Sequence, residues 1–186
     1  HGVGVSCVNA LSEWMEVEVR RDETVYRQRY EKGVAVSALE KIGKTKVTGT
    51  EVTFYPDASI FSTTTFEWDI LANSLRELAF LNKGVEIRLI QEEPARDETF
   101  RFKGGIVEFV RHLNRNKTLI HPKVIFVARE RDGVAVEIAL QYTEAFSETI
   151  SSYVNNINTI EGGTHLSGFR SALTRTINAY GKANKL

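Results

Sequence analysis

Two short runs near the N-terminus alternate apolar and charged residues, and they restrict the fold more than any other feature of the chain. WMEVEVR covers residues 14–20 and VYRQRYE covers residues 25–31, with Asp22-Glu23 between them. Period-two alternation is typical of strands with one buried face, and a short polar connection makes the chain turn back on itself. The sequence therefore predicts a two-stranded hairpin at the start of a half-buried sheet.

Helical periodicity appears twice in the first hundred residues. A short helix is predicted over residues 3–12, where Val5, Val8 and Leu11 lie on one side. A longer helix is predicted over residues 66–81, and Asn82-Lys83-Gly84 ends it with residues that suit a helix C-terminus. Its apolar stripe consists of Phe66, Ile70, Leu71, Leu75 and Leu78.

Three further strands are predicted in this half, over residues 50–55, 85–90 and 98–102. Pro56-Asp57 ends the first of them. The basic, glycine-bearing stretch over residues 41–49 predicts a flexible loop.

Gly104-Gly105 interrupts the pattern and predicts a domain boundary. After it we expect a helix over 106–113 and then two paired strands, 123–129 and 134–141, with Asp132-Gly133 as their turn. A strand over 147–154 and a long helix capped by Thr164 are predicted to follow. Both halves mix strands and helices without regular strand–helix alternation, so the predicted class is α+β and not a doubly wound sheet.

Composition sets a few further limits. The net charge is zero, but residues 1–102 hold 13 basic and 17 acidic side chains and residues 103–186 hold 11 and 7. This asymmetry favours two parts with different partners, although chance clustering on solvated faces is an alternative. Cys7 is the only cysteine, so an intrachain disulfide and a cysteine zinc cluster are excluded. We expect no secretory signal and no membrane span.

Gly2 and Gly4 precede the first predicted helix, in the string HGVG. Glycines at such a position let backbone N–H groups approach an anion closely, and the helix N-terminus attracts phosphate. An ordinary tight turn is the alternative explanation, and it is the commoner one for so short a motif.

Longer strings resemble a known family. HGVGVSCVNALS (1–12) resembles the last nucleotide-binding motif in the ATPase domain of DNA gyrase B subunits and their topoisomerase IV relatives. Further stretches resemble that family in the same order: TGTEVTFYPD (48–57), LRELAFLNKGVEIRL (75–89) and NNINTIEGGTHLSGFRSALTRTINAY (155–180). KGGIVEFVRHLNRNKTLIHP (103–122) favours gyrase over topoisomerase IV.

The resemblance implies an α+β fold in two parts. Residues 1–103 would be the C-terminal part of a GHKL (Bergerat) ATPase sandwich of mixed sheet and helices. Residues 104–186 would be the N-terminal part of a transducer-type α/β domain with a left-handed crossover. The family couples ATP binding and hydrolysis, with Mg²⁺, to DNA strand passage and negative supercoiling in the cytoplasm. The implied partners are the gyrase A subunit, double-stranded DNA and a second copy joined through the N-gate.

The resemblance also assigns individual residues. The loop around the triphosphate is assigned to His1, Gly2, Val3 and Gly4. The adenine side of the pocket is assigned to Val5, Thr50 and Val52. Arg21 matches an arginine at the pocket rim, where aminocoumarin-type inhibitors bind in this family. The alternatives are that both valines pack in a core, that Thr50 is only a good strand former, and that Arg21 is a solvated charge.

The family's catalytic groups fall outside the matched positions. The general-base glutamate, the magnesium-binding asparagine and the adenine-binding aspartate would precede His1, and the lysine that reaches the γ-phosphate would follow Leu186. We therefore expect an internal fragment that contains no catalytic residue and no metal ligand, is inactive alone and binds no cofactor tightly.

In the second half, the resemblance implies a domain that relays the nucleotide state and lines a cavity for DNA. The residues expected to face DNA are Arg170, Arg175, Lys182 and Lys185. A solvated helix face is the alternative for each of them. The histidines His112, His121 and His165 lack the spacing and the carboxylate neighbours of a metal site.

Two other functions stay open at this point. The B subunit of a topoisomerase IV is the alternative within the enzyme class, and a stand-alone, non-catalytic module that binds DNA or a partner is the alternative outside it. A partial ATPase domain would also leave apolar side chains partly uncovered, which favours completion by other residues or oligomerisation. The side chains expected to be uncovered are Val17, Val19, Phe54 and Leu75.

Overall fold

The computed structural model describes residues 2–186 and contains two compact units, His1–Phe66 and Glu67–Leu186. The first unit begins with helix α1 (Gly4–Ala10) and continues with five strands. These are β1 (Ser12–Arg21), β2 (Thr24–Glu31), β3 (Val34–Ala35), β4 (Glu40–Lys44) and β5 (Gly49–Pro56). The sheet is antiparallel: β1 lies between β2 and β5, and β3 and β4 both pair with the other edge of β2.

The hairpin predicted from the alternating runs is confirmed. Strands β1 and β2 pair from Trp14 opposite Glu31 to Arg21 opposite Thr24. The two connecting residues, Asp22 and Glu23, have φ angles of 51° and 55°. Positive φ at both central positions is the geometry of the two-residue turn whose twist matches that of the flanking strands.

Few side chains of the first unit are buried. Met15 is 2% exposed and Ser12 is 1% exposed, with the Ser12 hydroxyl donating to the Val8 carbonyl at 2.6 Å. Val17 and Val19 are only half-buried, and Phe54 is 39% exposed. The expectation that these side chains are partly uncovered is confirmed.

The second unit contains three helices and six strands. They are α2 (Trp68–Leu81), β6 (Glu86–Gln91), β7 (Arg96–Arg101), α3 (Gly105–Leu113), β8 (Ile125–Arg131), β9 (Val134–Leu140), β10 (Tyr153–Val154), β11 (Ile157–Asn158) and α4 (Thr164–Asn184). The strands form three separate antiparallel pairs, β6–β7, β8–β9 and β10–β11. The α+β class is confirmed, as is the β8–β9 hairpin with its Asp132-Gly133 turn.

A small apolar core holds α2 against the β6–β7 hairpin. Ala72, Ala79 and Phe100 are its buried members. Trp68, Leu75, Ile87, Leu89 and Phe102 pack around them half-buried, so Leu75 is partly uncovered as expected. On the neighbouring side of α2, the Phe80 ring stacks on Phe102 and on Phe109 of α3. Helix α2 therefore packs with elements on both sides of Gly104, and the domain boundary at 103/104 stays a prediction.

Three local predictions are wrong. Residues 40–44 form β4 and not a loop, because their backbone pairs with β2 although their side chains are exposed on both faces. Residues 147–152 are not a strand, because only Tyr153–Val154 finds a partner strand among the described residues. Thr164 does not cap α4, since Gly163 occupies the cap position and Thr164 is the first helical residue.

The helices are short or polar relative to what a bilayer requires. Among the helices that the structure describes, none combines the length and the apolar character needed to cross a membrane.

Candidate functional site

The residues predicted for the adenine side lie on one face of the first sheet. Thr50 and Val52 alternate along β5 and stand opposite Val19 and Val17 of β1. Side chains two residues apart point to the same side of a strand, so Arg21 belongs to this face as well. Arg21 is exposed and lies at the end of β1 that pairs with the start of β5. The sheet thus brings Thr50, Val52 and Arg21 to one surface.

Both valines of the predicted pocket are accessible. Val5 is 59% exposed and Val52 is 39% exposed. Neither belongs to a buried core of this chain, and the alternative explanation by core packing against other residues stays open. Accessible valines on a sheet face and at a helix start are available to contact an apolar ring system.

The predicted phosphate loop is open and exposed. Gly2 has a φ of 76°, a left-handed conformation that favours glycine, and a Cβ placed on either Gly2 or Gly4 would meet no other atom within 4 Å. The first amide of α1 to pair within the helix is that of Cys7, which donates to Val3 at 2.9 Å. The first amides of a helix generally have no acceptor within it, so the amides before Cys7 are the ones that could face a ligand. His1 lies outside the described residues.

A polar cluster at the far end of β5 was not predicted. Asp57 is 6% exposed, and its carboxylate accepts hydrogen bonds from the Ser59 amide at 2.8 Å and the Ser59 hydroxyl at 2.6 Å. Lys32 approaches the same carboxylate at 3.2 Å. The Ser59 hydroxyl, then the Ser59 amide and then Lys32 lower the pKa of Asp57. The Asp57–Ser59 turn could have been predicted, because Asp-x-Ser is a common turn sequence. Nothing in the sequence indicates that the distant Lys32 pairs with Asp57.

The predicted DNA-facing residues are on or just after α4. Arg170, Arg175 and Lys182 are exposed helical residues, and Lys185 follows the last turn in a left-handed conformation. Arg170 and Arg175 border one shallow depression with Ser171, Thr174 and Asn178. Arg170 also contacts the Glu148 carboxylate at 2.5 Å. At 100° per residue, Arg175 and Lys182 share a face, whereas Arg170 lies about 120–140° around the helix from it.

The potential metal ligands of the chain are scattered. Within the part of the chain that the structure describes, no group of three or more His, Cys, Asp and Glu side chains is arranged to hold a metal ion.

Known proteins resemble this chain along its whole length. A family model described as DNA gyrase B matches residues 105–186. The DNA gyrase B subunit of Archaeoglobus fulgidus is 50% identical over 186 residues, which is 98% of this chain and 29% of that protein. The DNA gyrase B subunit of Halalkalibacterium halodurans is 52% identical and covers 100% of this chain, with 30% of its own length matched.

Over its whole length, the chain is similar to one part of DNA gyrase B subunits.

A solved structure agrees with this similarity. The 43K ATPase domain of Thermus thermophilus gyrase B, in complex with an aminocoumarin, superposes with a TM-score of 0.85 and is 36% identical. The match covers all of this chain and 51% of that one. The motif-based resemblance to the family is therefore confirmed, and the chain spans about 30% of the length of the Archaeoglobus and Halalkalibacterium proteins.

Proposed function

We propose that this chain is part of the nucleotide-binding and transducer region of a DNA gyrase B subunit. The parent protein would couple ATP binding and hydrolysis to DNA strand passage and negative supercoiling, together with a gyrase A subunit and a second copy of itself. The observation that supports the proposal most directly is sequence similarity: about half of the residues along the whole chain are identical to those of gyrase B subunits. A cytoplasmic location follows from the proposed action on DNA.

The sheet face and the loop before α1 contribute binding in this proposal. The amides of residues 2–4 donate to phosphate oxygens, where fixed N–H groups stabilise the charge that spreads over the transferred phosphoryl group. Val5 and Val52 contact the adenine ring, and the Thr50 hydroxyl hydrogen-bonds at its edge. Arg21 covers the rim. The general base is assigned to none of residues 2–186, so the chain alone binds weakly and does not hydrolyse ATP.

The boundary near Gly104 and the left-handed crossover are parts of the same proposal. Residues 1–103 would belong to the ATPase sandwich and residues 104–186 to the transducer, whose match to the family model begins at Gly105. Arg170, Arg175, Lys182 and Lys185 would face the transported DNA, and Mg²⁺ would be bound by residues of the parent protein other than those described.

The activity test uses the full-length protein that contains this chain, assembled with its A subunit. ATP-dependent negative supercoiling of relaxed plasmid is the expected result. Relaxation and decatenation without supercoiling would instead identify a topoisomerase IV. DNA binding without any ATP-dependent change of topology would identify a non-catalytic binding module.

The site assignment is tested by two threonines of one strand. Thr50 lies on the proposed ligand face of β5, and Thr53 lies on the opposite face beside Glu16. We expect Thr50→Ala in the full-length protein to weaken ATP binding about three- to tenfold, the effect of losing one hydrogen bond. Thr53→Ala is the matched control and should leave ATP affinity unchanged. Equal ATP affinity in the two variants would show that the ligand face is assigned wrongly.

A further inference from the structure

The β10–β11 hairpin is attached to helix α2 by two side-chain contacts. The Tyr153 hydroxyl donates a hydrogen bond to the Glu77 carboxylate. At the hairpin turn, the Asn156 amide nitrogen donates to the Asn82 side-chain oxygen at 2.8 Å. Burial and the neighbouring Glu77 raise the pKa of Tyr153, so the phenol stays protonated and remains the donor.

The same hairpin is attached to the start of helix α4. The Ser152 and Thr159 hydroxyls lie 2.7 Å apart, and the Thr159 amide donates to the Ser152 carbonyl at 2.8 Å. The Thr159 hydroxyl also lies 3.2 Å from Nε2 of His165, in the first turn of α4. Ser152, Tyr153 and Thr159 are all half-buried, which shields the Ser152–Thr159 and Tyr153–Glu77 hydrogen bonds from competition with water. The Thr159–His165 contact is exposed.

The Gly162-Gly163 sequence before α4 has a steric reason in this arrangement. A Cβ on Gly163 would lie 2.8 Å from Cε1 and 2.9 Å from Nδ1 of His165. Such contacts are too short for any side chain, so a glycine is needed for the imidazole to reach Thr159. The Gly-Gly-Thr-His string therefore encodes the position of His165 as well as the start of the helix.

We infer that Glu77, Tyr153, Ser152, Thr159 and His165 form a polar relay that fixes α4 relative to α2 and so positions the DNA-facing helix according to the nucleotide state. The inference rests on the proposed function. Helix α2 follows directly after the unit that holds the proposed nucleotide residues, and α4 holds Arg175 and Lys182. Directional hydrogen bonds in series tie the two helices to one hairpin, so a displacement of α2 is passed to the start of α4. These five are positioning residues, and none contacts ATP or DNA in the proposal.

The decisive measurement is the number of supercoils introduced per ATP hydrolysed by the full-length protein with its A subunit. Tyr153→Phe removes only the hydroxyl, and we expect it to lower this ratio at least about fivefold, the lower end of a usual coupling between sites. DNA-independent ATP hydrolysis and ATP affinity should stay at the wild-type level. Glu77→Gln keeps an oxygen acceptor and should keep most of the ratio.

Tyr142→Phe is the matched control. The Tyr142 ring packs edge-on against His121, and its hydroxyl has no hydrogen-bond partner among the described residues. This variant should supercoil with the wild-type ratio.

A purely structural role predicts different results. In that case Tyr153→Phe would lower ATP hydrolysis and supercoiling in parallel, with an unchanged ratio, and the relay would be disproved. Should Tyr153→Phe fold poorly, His165→Asn interrupts the opposite end and must lower the same ratio; an unchanged ratio there also overturns the inference. Wild-type protein without ATP-dependent supercoiling would contradict the proposed function itself, which separates the two failures.

Discussion

Asp57 is the one buried charged side chain among residues 2–186, and its surroundings make its ionised form stabilising. Hydrogen bonds from Ser59 and the approach of Lys32 lower its pKa below that of an exposed aspartate. A carboxyl whose pKa falls on folding stabilises the fold above its unfolded-state pKa, and this stabilisation is lost as the pH falls through the folded-state value.

We predict that Asp57→Asn lowers the free energy of unfolding at about pH 7 and makes it less dependent on pH down to about pH 3. Urea unfolding at the two pH values measures both effects. Asp132→Asn is the control, because Asp132 lies in an exposed turn where Asn-Gly is equally suitable. An acid-induced loss of stability as large in Asp57→Asn as in the wild type would contradict this role of Asp57.

At the residue scale, the sequence predicts contacts that are local and misses contacts that are distant. Thr50 and Val52 share a face because strand alternation requires it, whereas their assignment to the adenine side rests on the family resemblance. The pairs Lys32–Asp57 and Glu77–Tyr153 join residues far apart in sequence. No periodicity or motif specifies such partners, since they depend on how the elements pack.

One buried aromatic side chain, Phe80, packs helix α2 against the residues that follow β7 and against α3. The Phe80 ring is 1% exposed, and its centroid lies 3.6 Å from that of Phe102 and 5.0 Å from that of Phe109. Removing the ring would leave a cavity between α2, the end of β7 and α3. Desolvation and the neighbouring Arg115 also lower the pKa of His112, whose ring packs on Phe80.

We predict that Phe80→Ala costs about 3–5 kcal/mol of unfolding free energy, the usual range for truncating a buried phenylalanine. Ile70→Ala on the same helix is the control: Ile70 is 63% exposed, and its truncation should change stability by no more than about 0.5 kcal/mol. Denaturant unfolding followed by far-UV circular dichroism gives both values. Similar losses in the two variants would mean that α2 is not held by this stack.

At the element scale, periodicity predicted the elements whose sequences repeat at strand or helix spacing, whether or not their side chains are buried: β8 was predicted although all of its side chains are exposed. The β1–β2 hairpin and α2 were placed correctly because their apolar residues recur at strand and helix spacing. Strand β4 was missed because its sequence, EKIGK, holds a single apolar residue and does not alternate, so only backbone pairing defines it. Residues 147–152 resembled a strand in sequence, but a strand also requires a partner edge, which a single sequence does not show.

At the scale of the whole molecule, basic and acidic side chains are distributed unevenly along the chain. Residues 103–186 hold four more basic than acidic side chains, although the entire chain is neutral. Arg175 and Lys182 stand seven residues apart on one face of α4, about 10 Å along the helix axis. Two cations at this spacing on an exposed helix can each neutralise a phosphate of duplex DNA, and each such ion pair releases counterions.

We therefore predict that this chain binds a short DNA duplex weakly and in a salt-dependent manner, and that Arg175→Glu combined with Lys182→Glu weakens that binding. The slope of log affinity against log salt should fall by about 0.9 for each phosphate that is no longer neutralised. Fluorescence anisotropy with a labelled duplex, over a range of salt concentrations, measures both quantities. Two charge reversals in the first unit, Lys44→Glu and Lys46→Glu, change the net charge equally and should have a smaller effect, because neither residue is on α4. If both double variants weaken binding to the same extent, the attraction belongs to net charge alone and α4 has no special part in holding DNA.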